Sequence, residues 1–344
     1  MVKIVRVDPL NPRREDLEEA AEVIRAGGLV AFPTETVYGL GADAFNATAS
    51  AKIFKVKGRP ADNPLIVHVS SLEMALEIGE LPDRIVDIAE RVWPGPITFV
   101  VRKRAELPPV VTAGLPTVAL RCPAHPVALR FIEAAGTPIA APSANKAGRP
   151  SPTEASHVLE DLGDSIDVVI DAGRTFFGVE STIIDVTREP PVLLRPGPFT
   201  VEELRSILGE VEIPPFARGL GEADVALAPG MKYRHYAPEK PLVIVEFDLK
   251  AAVDIVQRKG LRAAVLCMAD KCADGDVVLK VGSDLYEVAK NLYDALRRID
   301  KTEADIALAP AVPERGIGLA VMNRLRKASG FKIARNEEEL AKLI

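Results

Sequence analysis

Through the first 200 residues, short apolar runs alternate with stretches whose apolar positions recur every three to four residues. The runs at 29–33, 64–69, 97–101, 117–121, 139–141, 168–171, 181–186 and 192–195 predict strands. The stretches at 49–57, 82–92, 126–135 and 153–162 predict helices, the third stopped by Gly136 and the fourth N-capped by Thr153 after Pro152. Alternation of this kind predicts an α/β fold with an open twisted sheet covered by helices. The Pro and Gly residues between elements predict long irregular loops at the strand ends. The pattern stops between 208 and 239, a length too great for an ordinary connection, so this stretch reads as a linker or a functional loop. Strand runs at 242–247, 263–267, 277–281 and 306–309, with helical stretches at 251–258, 284–299 and 318–328, then predict a smaller Rossmann-like, doubly wound domain. The chain divides accordingly into a domain over 1–207, a connector over 208–239 and a second domain over 240–344.

A chain of 344 residues, 48% hydrophobic, is long and apolar enough for two cores. Its net charge of −6 and its 5% aromatic content argue against stable nucleic-acid binding, which needs basic surface and stacking rings. No run approaches the ~20 apolar residues of a membrane span. The first ten residues carry Lys3 and Arg6 and lack the continuous apolar core of a signal peptide, so a soluble, cytoplasmic protein without membrane association is expected. Cys122, Cys267 and Cys272 are too few for a disulfide framework and read as buried or incidental thiols. The chain has no phosphate-loop, dinucleotide-binding, zinc-ligand or serine-hydrolase motif, and no protein-held metal is expected.

Polar segments that follow apolar strands carry the candidate chemistry. In PTETVYGLG (33–41) the hydroxyls of Thr34 and Thr36 suit a polar small molecule, and the glycines suit close backbone approach, although an ordinary turn reads the same way. KVKGRPADNPLIVHV (55–69) groups Lys55, Lys57 and Arg59 on a Gly/Pro-shaped loop, a pattern suited to phosphate, before Asn63 and His68. A solvated helix end and a core histidine are the rival readings there. In IAAPSANKAGRPSPTEA (139–155), Ser143 and Asn145 after a strand suit an anion nest. GVESTIIDV places Glu180, Ser181 and Thr182 in an apolar run, and Arg121 and Arg195 each end a strand. Polar loops gathered at strand ends, cationic but without a nucleophile–base pair, fit phosphoryl or nucleotidyl transfer by positioning and charge stabilisation.

These same stretches, PTETVYGLGADA, the K-x-R of KGRPADNPLIVHV, the S-x-N of APSANKAGRPSP, and GVESTIIDV with LLRPG, resemble the YrdC/Sua5 family. APGMKYRHYAP and the final segment resemble its longer form, in which a Sua5 domain follows a YrdC-like domain. The resemblance implies an L-threonylcarbamoyladenylate synthase, a nucleotidyltransferase converting L-threonine, bicarbonate or CO2, and ATP to threonylcarbamoyl-AMP and pyrophosphate for the t6A modification of tRNA. It implies that Thr34, His68, Arg121 and Ser181 hold L-threonine, with Arg121 on its carboxylate. Arg59, Asn63, Thr117, Ala141, Ser143, Asn145, Ser151 and Arg195 would contact ATP. Lys57, Arg59 and Arg195, with Mg2+ carried on the phosphates, would stabilise charge in the reaction.

The product would pass to a tRNA threonylcarbamoyl-transferase complex. Tyr233, Arg234, His235 and Tyr236, flanked by prolines, are too concentrated for a passive spacer, and the connector is expected to close over the nucleotide as a lid. Two rivals stand beside this. Carbamoyl transfer from carbamoyl phosphate, as in hydrogenase-maturation enzymes, would call for acylphosphatase-like and zinc-finger segments. An RNA-binding module would call for net positive charge.

Overall fold

All eight strands expected in the first 200 residues are present in the computed structural model, which describes residues 1–231 and 235–344, with ends moved by no more than two residues. Three further strands, Lys3–Arg6, Gly39–Asp43 and Gly79–Glu80, complete an 11-stranded sheet. Across the sheet the order is Lys3–Arg6, Val168–Asp171, Val30–Phe32, Gly39–Asp43, Ile139–Ala141, Ile66–His68, Thr117–Arg121, Ile97–Lys103, Thr182–Asp185 and Val192–Arg195, with Gly79–Glu80 flanking Ile97–Lys103. The sheet is mixed. Ile66–His68 runs parallel to Thr117–Arg121 but antiparallel to Ile139–Ala141.

Helices cover both faces, and their ends follow local chemistry. Asn46 caps Ala47–Lys57, which stops at Gly58 in the left-handed region. Pro126 opens and Gly136 closes Pro126–Ala135, the usual proline–glycine asymmetry. Thr200 and Glu203 form a reciprocal capping box on Val201–Leu208. Helix Ala155–Leu162 starts two residues later than expected, with Glu154 rather than Thr153 at the N-cap. No side chain caps this helix, and His157 Nδ1 accepts instead the N–H of Thr153, ahead of the N-cap, at 3.2 Å.

Of the glycines after Phe32, Gly39 borders a cavity as expected, whereas Gly41 does not. Gly39 and Gly41 lie in a strand, and a Cβ on Gly41 would fall 2.7 Å from Ile139 and 3.0 Å from the Phe32 ring. Gly41 is therefore a packing glycine between strands rather than an approach to a ligand.

The second unit is an all-parallel five-stranded sheet in the order Val277–Gly282, Ala263–Met268, Ile306–Pro310, Leu242–Val245, Ile333–Ala334. Its two inward helices, Leu285–Asp300 and Gly318–Ala328, pack toward the first unit: Val37, Val179 and Tyr236 share one apolar cluster with Leu292, Tyr293 and Leu325. A Glu154–His157–Asp294 group bridges the two units. Because Nδ1 of His157 accepts a backbone N–H, Nε2 carries the proton in the neutral ring and faces Asp294 Oδ1 at 3.4 Å from across the two units. Cys267 and Cys272, expected as separate thiols, are joined in a disulfide, because the turn closed by the Met268–Lys271 bridge brings their Cα atoms to 4.4 Å. Among the described residues no helix is long and apolar enough to cross a membrane.

Candidate active site

His68 and Arg121 stand side by side because the two parallel strands that end in them are in register. Ile66 and His68, two residues apart, face the same side, so the cavity lies partly across the sheet face as well as beyond the strand ends. That departs from an open parallel sheet, where ligands sit outside the carboxyl ends, and the mixed topology is the reason. The cavity has a volume of about 330 Å³. Thr34, Lys57, Arg59, Asn63, His68 and Arg121 line it from the first half of the chain. Ala141, Ser143, Asn145, Arg195, His235 and Tyr236 line it from further along the chain.

Three of the expected residues stand elsewhere. Ser181 lies just behind the wall, its hydroxyl 2.8 Å from that of Thr98 and accepting from Arg195 Nη2 at 3.2 Å. Ser151 is buried and donates to Glu180. Thr117 begins its strand opposite Arg102 and lines a separate surface depression with Glu80 and Arg104, four residues along the strand from Arg121. Tyr233 and Arg234 lie outside the described residues.

At one end of the cavity the geometry suits a small zwitterion. Arg121 is buried and bonded to Glu35 Oε1 at 2.5 Å, leaving its Nε and Glu35 Oε2 without partners among the described residues. His68 Nδ1 lies 3.1 Å from the Ile66 carbonyl and 3.3 Å from that of Ile139. Two carbonyl partners require Nδ1 to carry the proton, which leaves Nε2 as an acceptor. Burial first, and then the Arg121 charge, push His68 down to about 3. The imidazole therefore stays neutral across the working pH range. The unfolded chain binds a proton on this residue near 6.5 while the folded chain does not, so stability falls as pH drops from 6.5 toward 3. Between pH 7.5 and pH 5 the expected loss from this one group is about 2 kcal/mol, to be read as a lowered urea midpoint.

The other end is strongly cationic. Lys57 is buried and donates to the carbonyl oxygens of Ser143 and Asn145, so the K-x-R helix end pins the S-x-N loop. Arg59 donates to the carbonyls of Asn63 and Pro64 at 3.1 and 3.2 Å and lies over the Phe54 ring. Arg195 donates through Nε to the Ser181 carbonyl at 3.0 Å and through Nη1 to that of Pro229 at 3.3 Å. Neither Lys57 nor Arg59 has an ion-pair partner within 4.0 Å among the described residues. Burial, with Arg59 beside it, holds Lys57 well below its ordinary range, and burial with Arg195 nearby brings Arg59 down to about 10. Buried cations that oppose one another in this way are stabilised by a polyanion.

Glu180, also lining the cavity, accepts from Ser151, Tyr293 and Arg324. Its cationic neighbours Arg324 and Arg195 outweigh burial and hold it near 2, so it is ionised and already fully engaged. No second carboxylate lines the cavity among the described residues, so these donors fit Mg2+ only as a passenger on a ligand's phosphates. Glu35, Tyr293 and Arg324 were not recognised as site residues from sequence. Glu35 is signalled by lying between Thr34 and Thr36, whereas nothing local marks Tyr293 or Arg324, which reach the site from the other domain.

A buried cationic trough that opens into a recess for a small polar acid defines an α/β nucleotide-binding protein with a second ligand. Residues 22–197 match the Sua5/YciO/YrdC family model, described as "Telomere recombination". Residues 199–330 match the model described as "Threonylcarbamoyl-AMP synthase, C-terminal domain". The chain belongs to the Sua5/YrdC family. It is 49% identical to the threonylcarbamoyl-AMP synthase of Pyrococcus abyssi, over 93% of this chain and 97% of that one. It is 43% identical to that of Bacillus subtilis, over 95% and 97%. The crystal structure of P. abyssi Sua5 complexed with L-threonine superposes with a TM-score of 0.92 at 47% identity, over 98% of this chain and 99% of that one.

Proposed function

We propose that this protein is an L-threonylcarbamoyladenylate synthase. The observation that carries the reading is one cavity in which an arginine–histidine recess adjoins three cations, the buried Lys57 and Arg195 and the half-buried Arg59. The recess suits threonine: Arg121 Nε and Nη1 meet the carboxylate, and His68 Nε2 accepts from the amine or the hydroxyl, with Thr34 and Ser181 nearby. The cationic trough suits the triphosphate of ATP, bordered by Asn63, Ala141, Ser143 and Asn145.

In the first step the unprotonated threonine nitrogen attacks CO2, forming an N–C bond and releasing a proton to give an N-carboxylate. With bicarbonate as the source, water leaves instead. A carboxylate oxygen then attacks the α-phosphorus of ATP, the bond to the β-phosphate oxygen breaks, and pyrophosphate departs with its electron pair. Mg2+ on the phosphates offsets negative charge when bound. Lys57, Arg59 and Arg195 stabilise charge that grows on the leaving pyrophosphate. His68, held neutral, orients the amine and does not serve as a strong base.

His235 and Tyr236 form a lid over the nucleotide, protecting a mixed anhydride that water would hydrolyse. The product is passed to a tRNA threonylcarbamoyl-transferase complex in the cytoplasm. Incubation with ATP, L-threonine and 13C-bicarbonate tests the reading: a threonylcarbamoyl-AMP mass carrying one 13C is expected, and its absence with ATP consumed rejects it.

Lys57→Met removes the ammonium that holds two loop carbonyls as well as a phosphate contact. It is expected to lower kcat by about 100-fold, in line with the loss of one preorganised donor. Steady-state pyrophosphate release checks this.

A further inference from the structure

Arg324 is completely buried, belongs to helix Gly318–Ala328 of the C-terminal domain, and points into the first domain. Its Nε donates to Glu180 Oε2 at 3.0 Å, its Nη2 to the Glu180 carbonyl at 3.3 Å and its Nη1 to the Pro196 carbonyl at 2.6 Å. Glu180 directly precedes Ser181 and Pro196 directly follows Arg195. One guanidinium from the second domain therefore ties the backbone beside the expected threonine contact to the backbone beside the expected nucleotide contact. The two segments also touch directly: a Cβ on Gly197 would fall 2.4 Å from the Thr182 nitrogen and 2.6 Å from the Glu180 carbonyl. Arg195 in turn bonds the carbonyl and hydroxyl of Ser181.

We propose that Arg324 is a positioning residue for the reaction, setting the separation of Ser181 and Arg195 and holding Glu180 as a fixed anion in the cavity wall. This rests on the synthase reading. It makes the C-terminal domain part of the active site, supplying a fork that lysine cannot reproduce because a single ammonium does not span three acceptors in one plane.

Glu180 is faced by Arg324 and Lys327 from helix Gly318–Ala328 and by Tyr293 from helix Leu285–Asp300. Tyr236 of the connector, Arg195 at its strand end, Lys57 from helix Ala47–Lys57 and Ser151 complete its surroundings. Without Arg324 the buried carboxylate loses its largest favourable partner, so its protonation moves upward toward neutrality. The variant then becomes inactive on acidification where the parent does not.

The test compares full-length parent, Arg324→Met, Arg324→Lys, Tyr293→Phe, and Glu180→Gln in the Arg324→Met background, with threonine-dependent pyrophosphate release measured from pH 5.5 to 9. Thermal unfolding checks each fold. Arg324→Met is expected to lower kcat about 100-fold, the scale of a misplacement near 1 Å, and to add an acid limb to its pH profile. Adding Glu180→Gln removes that limb while the rate stays low. Arg324→Lys recovers less than a tenth of the lost rate. If Arg324→Met does not fold, Tyr293→Phe, which removes one hydrogen bond to Glu180 and no charge, is expected to lower kcat about 10-fold with its fold intact, and parental kcat in that variant overturns the proposal. A folded Arg324→Met with parental kcat and pH profile, or full rescue by lysine, overturns the proposal. Calorimetric binding of threonine and of ATP to the same proteins separates this from the synthase reading. A parent that binds both ligands but makes no adduct rejects the reaction. Tightly coupled binding in the parent that is lost in Arg324→Met still supports the positioning role.

Discussion

Arg121→Met is expected to raise the KM for threonine by more than 100-fold while changing the KM for ATP little. Arg121 is the buried cation at the recess end, its Nε has no partner among the described residues, and a carboxylate placed there accepts a charge-assisted bond worth about 2–5 kcal/mol. The same substitution leaves Glu35 buried without its partner at 2.5 Å, a loss of about 3–5 kcal/mol in stability. The expected thermal shift is correspondingly large. Glu35→Gln in the Arg121→Met background restores much of the stability but not threonine binding, because only the first depends on the orphaned charge. Unfolding scans and threonine calorimetry on the three proteins check both parts. Parental threonine affinity in Arg121→Met would remove Arg121 from the recess chemistry.

A His235→Ala, Tyr236→Ala double variant is expected to lose at least ~100-fold in turnover and to release more pyrophosphate than it accumulates adduct. Tyr236 is buried and stacks on Tyr293 with ring centroids 5.3 Å apart, and Arg324 lies 5.8 Å from its ring centroid. Its φ of 64° is rare for a residue with a side chain, and such a conformation persists only where surrounding contacts hold it. The tyrosine hydroxyl also lies against Gly230, where a Cβ would come within 3.0 Å of it, and Lys327 of the C-terminal domain donates to the Gly230 carbonyl. Gly230 and Tyr236 of the connector are thus seated on both domains beside the cationic end of the cavity. Removing both rings opens that end to water, which attacks the mixed anhydride. Quantifying pyrophosphate and adduct in one reaction checks this, and an unchanged ratio at parental rate would leave the connector as an inert strap.

Much of this architecture is local and hence legible in the sequence. Apolar runs such as 117–121 and 192–195 predict their strands to the residue, and Pro126 with Gly136 brackets a helix, because strand alternation and caps depend on near neighbours. Lys57 and Arg59 fall together in the sequence, whereas Lys57 meets Asn145 across a separation of 88 residues that no local pattern specifies. The mixed order of the sheet is set by long-range pairing and is not written in any segment. Gly39–Asp43 escapes notice as a strand because its glycines are chosen by the Phe32 and Ile139 side chains opposite. Thr153 is not the cap because the N-cap falls one residue further on, at Glu154, and the Thr153 N–H is taken by His157. Tyr293, Arg297 and Arg324 read as ordinary helix residues until the second domain docks. Arg297 then pairs with Asp161 at 2.9 Å in a buried ion pair between the domains.

The most direct test is ATP-to-pyrophosphate turnover with Mg2+ and bicarbonate, comparing L-threonine, L-serine and no amino acid. Strong dependence on threonine, with a threonylcarbamoyl-AMP mass among the products, is the predicted result. Equal pyrophosphate release in all three mixtures would contradict the account and leave a nucleotide-hydrolysing protein with no use for its Arg121–His68 recess.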